Sequence, residues 1–109
     1  MKHLRIYLAT QIGCEPCKVT KQVLGTKVAG VPVYEVDLSL NPERRNKMGV
    51  TSTPTIFIVD VTDENENGIL EEIEEKHLYH QSGMIADATN LKKIIRHLKR
   101  GNKVVTPID

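Results

Sequence analysis

Gly13-Cys14-Glu15-Pro16-Cys17 carries both cysteines of a 109-residue chain, three positions apart, where the apolar run Leu4 to Ala9 gives way to helical spacing. The thiolate, not the thiol, is the nucleophile in sulfur exchange, and a helix N-terminus stabilises a thiolate through backbone N–H groups that have no intrahelical partner. Cys14 is expected at that position. Cys17, one turn further on, can then attack a mixed disulfide made by Cys14, so the spacing suits a two-step exchange. Two other readings fit the same spacing: thiols buried as small hydrophobes, or half of a zinc site. Zinc takes four ligands, however, and His3, His77, His80 and His97 stand at no finger-like spacing.

Outward from this stretch, Leu4 to Ala9 reads as an inner parallel strand, apolar on both faces as burial under helices on each side requires. Cys17, Thr20, Val23 and Leu24 recur at helical spacing behind Pro16, which a first turn tolerates, and Gly25 is a natural stop. Val31 to Asp37 alternates as a second strand. Asn41 and Pro42 are placed as N-cap and first residue of a short helix ending near Met48, before Gly49. Thr55 to Val61 is the most strongly β stretch and starts directly after Pro54. Lys76 to Gln81 reads as a fourth, edge strand antiparallel to the third. Leu91, Ile94, Ile95 and Leu98 then form one stripe of a last helix that Gly101 ends, leaving 102–109 as a tail behind a single domain over 1–101.

Composition narrows the function classes. The formal net charge is +1, and one Phe, three Tyr and no Trp offer little surface for base stacking, so nucleic acid is not an expected partner. Charge is nonetheless uneven: eight of the fourteen acids lie between Asp60 and Glu75, and six of the fifteen basic residues between Lys92 and Lys103. Within the acidic stretch, Asp63, Asn65, Asn67, Gly68 and Glu74 fit the EF-hand formula, but a strand rather than a helix leads into it, and Asn67-Gly68 suits a hairpin turn. A solvated loop without metal is the expectation. No apolar run approaches the roughly 18 residues of a membrane span, and Met1 to Arg5 carry charge where a signal peptide would be apolar. A cytoplasmic, monomeric protein without membrane contact or cofactor is expected.

The order strand, helix, strand, helix, strand, strand, helix, with Cys-x-x-Cys at the first helix and Thr53-Pro54 before the third strand, resembles the thioredoxin fold. Tyr34-Glu35-Val36-Asp37, Asn41-Pro42-Glu43, Gly49 to Thr55, and Gly83 before the last helix match that pattern at the same intervals. The resemblance implies an α/β domain: a four-stranded mixed sheet in the order 2-1-3-4 with strand 4 antiparallel, and three helices on both faces. It further implies a thiol-disulfide oxidoreductase, a dithiol electron donor to protein disulfides, with Cys14 attacking and Cys17 resolving. Pro54 would be cis, and Thr53 would present its backbone to an extended substrate segment. The implied reductant is a flavoprotein disulfide reductase or, as in glutaredoxins, glutathione. Two departures stand out. Leu8 replaces the buried acid that thioredoxins place six residues before the first cysteine, and Ser82-Gly83-Met84-Ile85-Ala86-Asp87 keeps one acid of the glutaredoxin glutathione element.

Overall fold

A computed structural model describes residues 3–61, 70 and 72–101. The run Leu4–Thr10 forms β1, and its alternation sorts side chains to two sides, as a strand must. Leu4, Ile6 and Leu8 enter one apolar cluster; Tyr7 and Ala9 enter another. The helix α1, Glu15–Leu24, lies on the first side with the last helix, Thr89–Lys99, whose Leu91, Ile94, Ile95 and Leu98 pack with Leu24 and Ile6. On the other side Met48, from the helix α2 (Glu43–Met48), joins Tyr7, Phe57, Leu70 and Ile73.

The sheet has five strands, not four. Lys27–Val28 forms β2, paired antiparallel with the start of β3 (Val31–Asp37), and the order with β4 (Thr55–Asp60) and β5 (Tyr79–Ser82) is β2-β3-β1-β4-β5. The β2–β3 turn uses Ala29 and Gly30, both at positive φ (49° and 81°), the geometry of a two-residue hairpin. Alanine rarely takes that conformation, so the turn leaves no Asn-Gly signature in the sequence. The Lys99 ammonium secures it by donating to the Ala29 carbonyl at 2.6 Å.

Strand direction departs from expectation at β4 alone: β1 runs parallel to β3 but antiparallel to β4, while β5 is antiparallel to β4 as expected. After β3 the chain re-enters the sheet at the end it left, which places the Thr53-Pro54 bond, cis in this structure, beside the loop that follows β1.

Two boundaries shift as well. Pro42, not Asn41, holds the N-cap position of α2, with no side-chain cap bond; Asn41 contributes its backbone carbonyl to Arg44 N–H. The expected strand from Lys76 starts only at Tyr79, because Ile73–Lys76 forms a one-turn helix, α3, and the last helix is then α4. Fully burying Ile73 stabilises by about 1.5–3 kcal/mol, more than the tenths by which its acidic neighbours favour one conformation over another. The tail over 102–109 and the Asp63 to Gly68 part of the EF-hand formula lie outside the described residues. Glu74 of that formula stands on α3 with its carboxyl packed over Gly49 at the end of α2.

Candidate active site

The loop between β1 and α1 is held before chemistry begins. Leu38 N–H donates to the Thr10 carbonyl at 2.8 Å, Ile12 N–H to Ser39 Oγ at 2.7 Å, and the Arg45 guanidinium to Gln11 Oε1. Gly13, at φ 78°, then turns the chain into the helix, a conformation that a side chain disfavours. Cys14 is the N-cap of α1, and its Sγ accepts the Cys17 N–H at 3.2 Å. The sulfur thus occupies the place of a capping oxygen, with Pro16 in the first turn, where no intrahelical N–H is needed.

Cys14 and Cys17 are joined as a disulfide, with Cα atoms 5.2 Å apart. Cys14 is half-buried, whereas Cys17 is only 4% exposed. The Thr53 hydroxyl donates to Cys14 Sγ at 3.5 Å, so the residue before the cis-proline touches the outer sulfur through its side chain as well as flanking it. Sequence reasoning assigned Thr53 a backbone role and missed this contact, which spans 39 positions. Pro54 is buried, and its carbonyl accepts Gly83 N–H at 2.9 Å. Ile85 N–H donates to the buried Thr20 hydroxyl at 2.9 Å, tying the loop after β5 to α1. Ile12 (85% exposed) and Met84 (53%) leave apolar side chains in solvent on the two loops that flank the pair.

Beside the disulfide a solvent-open cleft of about 240 Å³ is bounded by Cys14, Cys17, Thr10, Lys21, Glu35 and Asp37 among others. Thr10 Oγ1 donates to Glu35 Oε2 at 2.6 Å, and Lys21 Nζ sits 2.6 Å from Glu35 Oε1. The hydrogen bond from Lys21, then that from Thr10, holds the Glu35 carboxyl below its ordinary value, and Glu35 in turn raises Lys21. Asp87, the one acid of the Ser82 to Asp87 stretch, accepts Thr89 N–H at 2.7 Å at the start of α4, and the Thr89 side chain, then this N–H, lowers its pKa. A larger cavity, about 560 Å³, opens at the opposite end of the sheet around His3, Leu4 and Lys99, remote from the sulfurs. His77 and His80 face each other 3.0 Å apart over Phe57, and among the described residues no three metal-binding side chains gather.

A redox-active pair capping a helix and faced by a cis-proline, on a mixed sheet of this connectivity, defines a thiol-disulfide oxidoreductase of thioredoxin fold. Solved structures bear out the fold. A thioredoxin variant from Halobacterium salinarum superposes with a TM-score of 0.65 at 17% identity, covering 97% of this chain and 80% of that one. The thioredoxin of Trypanosoma brucei brucei gives 0.65 at 22%, covering 91% and 77%, and thioredoxin 1 of Thermosipho africanus 0.59 at 17%, covering 91% and 99%. At such identities the likeness speaks for the fold alone. The glutaredoxin family model matches residues 6–62, more than half of the sequence, and the chain belongs to the glutaredoxin family. No curated protein matches it significantly.

Proposed function

We propose that this oxidoreductase is a dithiol electron donor to protein disulfides, with Cys14 as the attacking sulfur and Cys17 as the resolving one. The observation that carries the assignment is the asymmetry of the pair: Cys14 Sγ is the accessible sulfur and receives two donors, Cys17 N–H and Thr53 O–H. Both donors favour the thiolate once the bond is reduced. The Cys14 thiolate attacks a substrate sulfur and the partner sulfur leaves as a thiolate; Cys17 then attacks Cys14 and releases the substrate reduced. Thr53 and Pro54 provide a strand-like docking edge beside Cys14. Ile12 and Met84 provide apolar contact on either side of it.

The oxidised form is returned to the dithiol by a flavoprotein disulfide reductase or by glutathione. The family match favours glutathione, whereas the engagement of Asp87 by α4 favours the flavoprotein. A reducing, cytoplasmic setting and a monomer accord with this role; among the described residues no helix is long and apolar enough to cross a membrane. Trapping decides the roles of the cysteines. Cys17→Ser incubated with oxidised insulin should accumulate a mixed disulfide and Cys14→Ser should not; equal trapping would overturn the assignment. Turnover supported by thioredoxin reductase and NADPH, compared with turnover supported by glutathione and its reductase, identifies the reductant.

A further inference from the structure

The exchange chemistry leaves one pair of nitrogen ligands unused. The His77 backbone closes α3, and its ring Nδ1 lies 2.8 Å from the Ile73 carbonyl. A carbonyl oxygen only accepts, so Nδ1 carries the ring proton and Nε2 keeps its lone pair. That lone pair faces His80 Nδ1 at 3.0 Å.

Both rings are braced by one buried side chain. Pairing of β4 with β5 sets His80 opposite Phe57, whose ring lies stacked against His80 with centroids 6.2 Å apart. The same phenyl ring meets His77 nearly edge-on at 5.6 Å. His77 is half-buried and His80 exposed, so the pair is ordered from below and reachable from solvent. Rings ordered before a ligand arrives lower the entropic cost of binding it.

We propose that His77 Nε2 and His80 Nδ1 form a two-nitrogen site for a divalent cation of the nickel, copper and zinc group. Imidazole suits these ions, whereas calcium and magnesium take oxygen. Metal–nitrogen bonds of about 2.0–2.1 Å, set between a right angle and the tetrahedral angle, hold two nitrogens about 2.8–3.4 Å apart. The observed 3.0 Å falls inside that interval. The ion takes the place of the hydrogen that His80 Nδ1 shares with His77. That proton leaves Nδ1 for water and another joins His80 Nε2, so His80 changes tautomer and no proton is released overall. The bond from His77 Nδ1–H to the Ile73 carbonyl is the kind that fixes the ring of a ligating histidine and raises its basicity.

Among the described residues no third ligand joins the two, and water completes the coordination. Of the acids on or beside α3, Glu72 pairs with Lys76 at 2.8 Å and Glu74 packs over Gly49, so the imidazoles supply the protein's contacts. A bound ion would tie the end of α3 to β5, two elements otherwise joined by a short connection whose Leu78 N–H donates to the Ile58 carbonyl. The site shares no residue with the exchange site. Its expected consequence is therefore stability, not turnover.

The test titrates zinc chloride into the full chain in its disulfide form, in which Cys14 and Cys17 offer no free thiol to the ion. Calorimetry should show an ion bound with a Kd below about 0.1 mM, and His80→Gln and His77→Gln should each weaken that binding about 10-fold or more. Zinc should also raise the Tm of wild type, since it binds the folded pair and not a scattered one, and leave that of His80→Gln unmoved. Magnesium chloride should do neither. His80 is exposed, so its replacement spares the core and keeps the test decisive where His77→Gln loosens α3. His3 and His97 are common to all three proteins, and the difference between titrations isolates the pair. Zinc affinity that survives in His80→Gln, or wild-type binding weaker than about 0.1 mM, overturns the site.

Discussion

Two sulfurs of one bond occupy opposite surroundings. Around Cys14 the chain gathers donors at short range: a helix N–H three residues on, a threonine hydroxyl, and a glycine-turned loop that leaves the sulfur accessible. Around Cys17 it gathers burial of the sulfur itself and, beside it, an open cleft lined by Thr10 and the Glu35–Lys21 ion pair. The first environment lowers the cost of a negative sulfur; the second buries the sulfur and gives it, among the described residues, no such donors on the side chain. The difference teaches that reactivity in such a pair is divided by position in the first helical turn, the cap facing outward and the third residue inward.

The largest effect expected from this division is in alkylation of the reduced protein. Iodoacetamide should modify Cys14 about 10²-fold faster than Cys17 at neutral pH, because access and thiolate fraction act in the same direction there. Peptide mapping after partial reaction reads the ratio. Comparable labelling of both sulfurs would dissolve the comparison.

A smaller effect should follow from Thr53→Val, which preserves shape and removes only the hydroxyl that donates to Cys14 Sγ at 3.5 Å. Hydrogen bonds to charged groups are worth about 1.5–3 kcal/mol at good geometry, and this long one should supply the lower part of that range. The Cys14 thiol should therefore titrate higher, and its alkylation at neutral pH should slow about 3- to 10-fold. An unchanged pH profile would leave Cys14 dependent on the helix terminus alone.

What the sequence disclosed about these regions follows the range of the forces involved. The cap at Cys14, the stop at Gly25 and the stripe of α4 are settled within one or two turns, and each was legible. Thr53-Pro54 could be placed beside the pair only through the family pattern, and its hydroxyl contact with Cys14 depends on a strand direction that the pattern of apolar residues does not encode. Thr10, Glu35 and Lys21 carried one usable signal, the four-residue step from Cys17 to Lys21, but their meeting requires the β1–β3 register. At Ile73 the density of acids hid an apolar pair, Leu70 and Ile73, whose burial decides the local structure. Ala29 hid β2 by taking a conformation that alanine seldom takes.

The smallest effect concerns the Glu35 side itself, and it separates stabilisation by charge from stabilisation by packing. Because Lys21 and Thr10 lower the folded-state pKa of Glu35, the carboxylate contributes stability above its unfolded pKa and loses that contribution as pH falls through the folded value. Both partners are substantially exposed, Lys21 at 59% and Glu35 at 35% of the side chain, so solvent screens the attraction. The Tm advantage of wild type over Glu35→Gln should accordingly be no more than about 4 °C at neutral pH. It should shrink in high salt and vanish below the carboxylate range, where both proteins present a neutral side chain at position 35. Subtracting the two melting curves at each pH removes Asp87, whose pKa is also lowered, since it is common to both. A difference that persisted at low pH would mean that residue 35 stabilises by packing rather than by charge. A difference of many degrees at neutral pH would show that the Glu35–Lys21 pair is held far more strongly than an exposed ion pair.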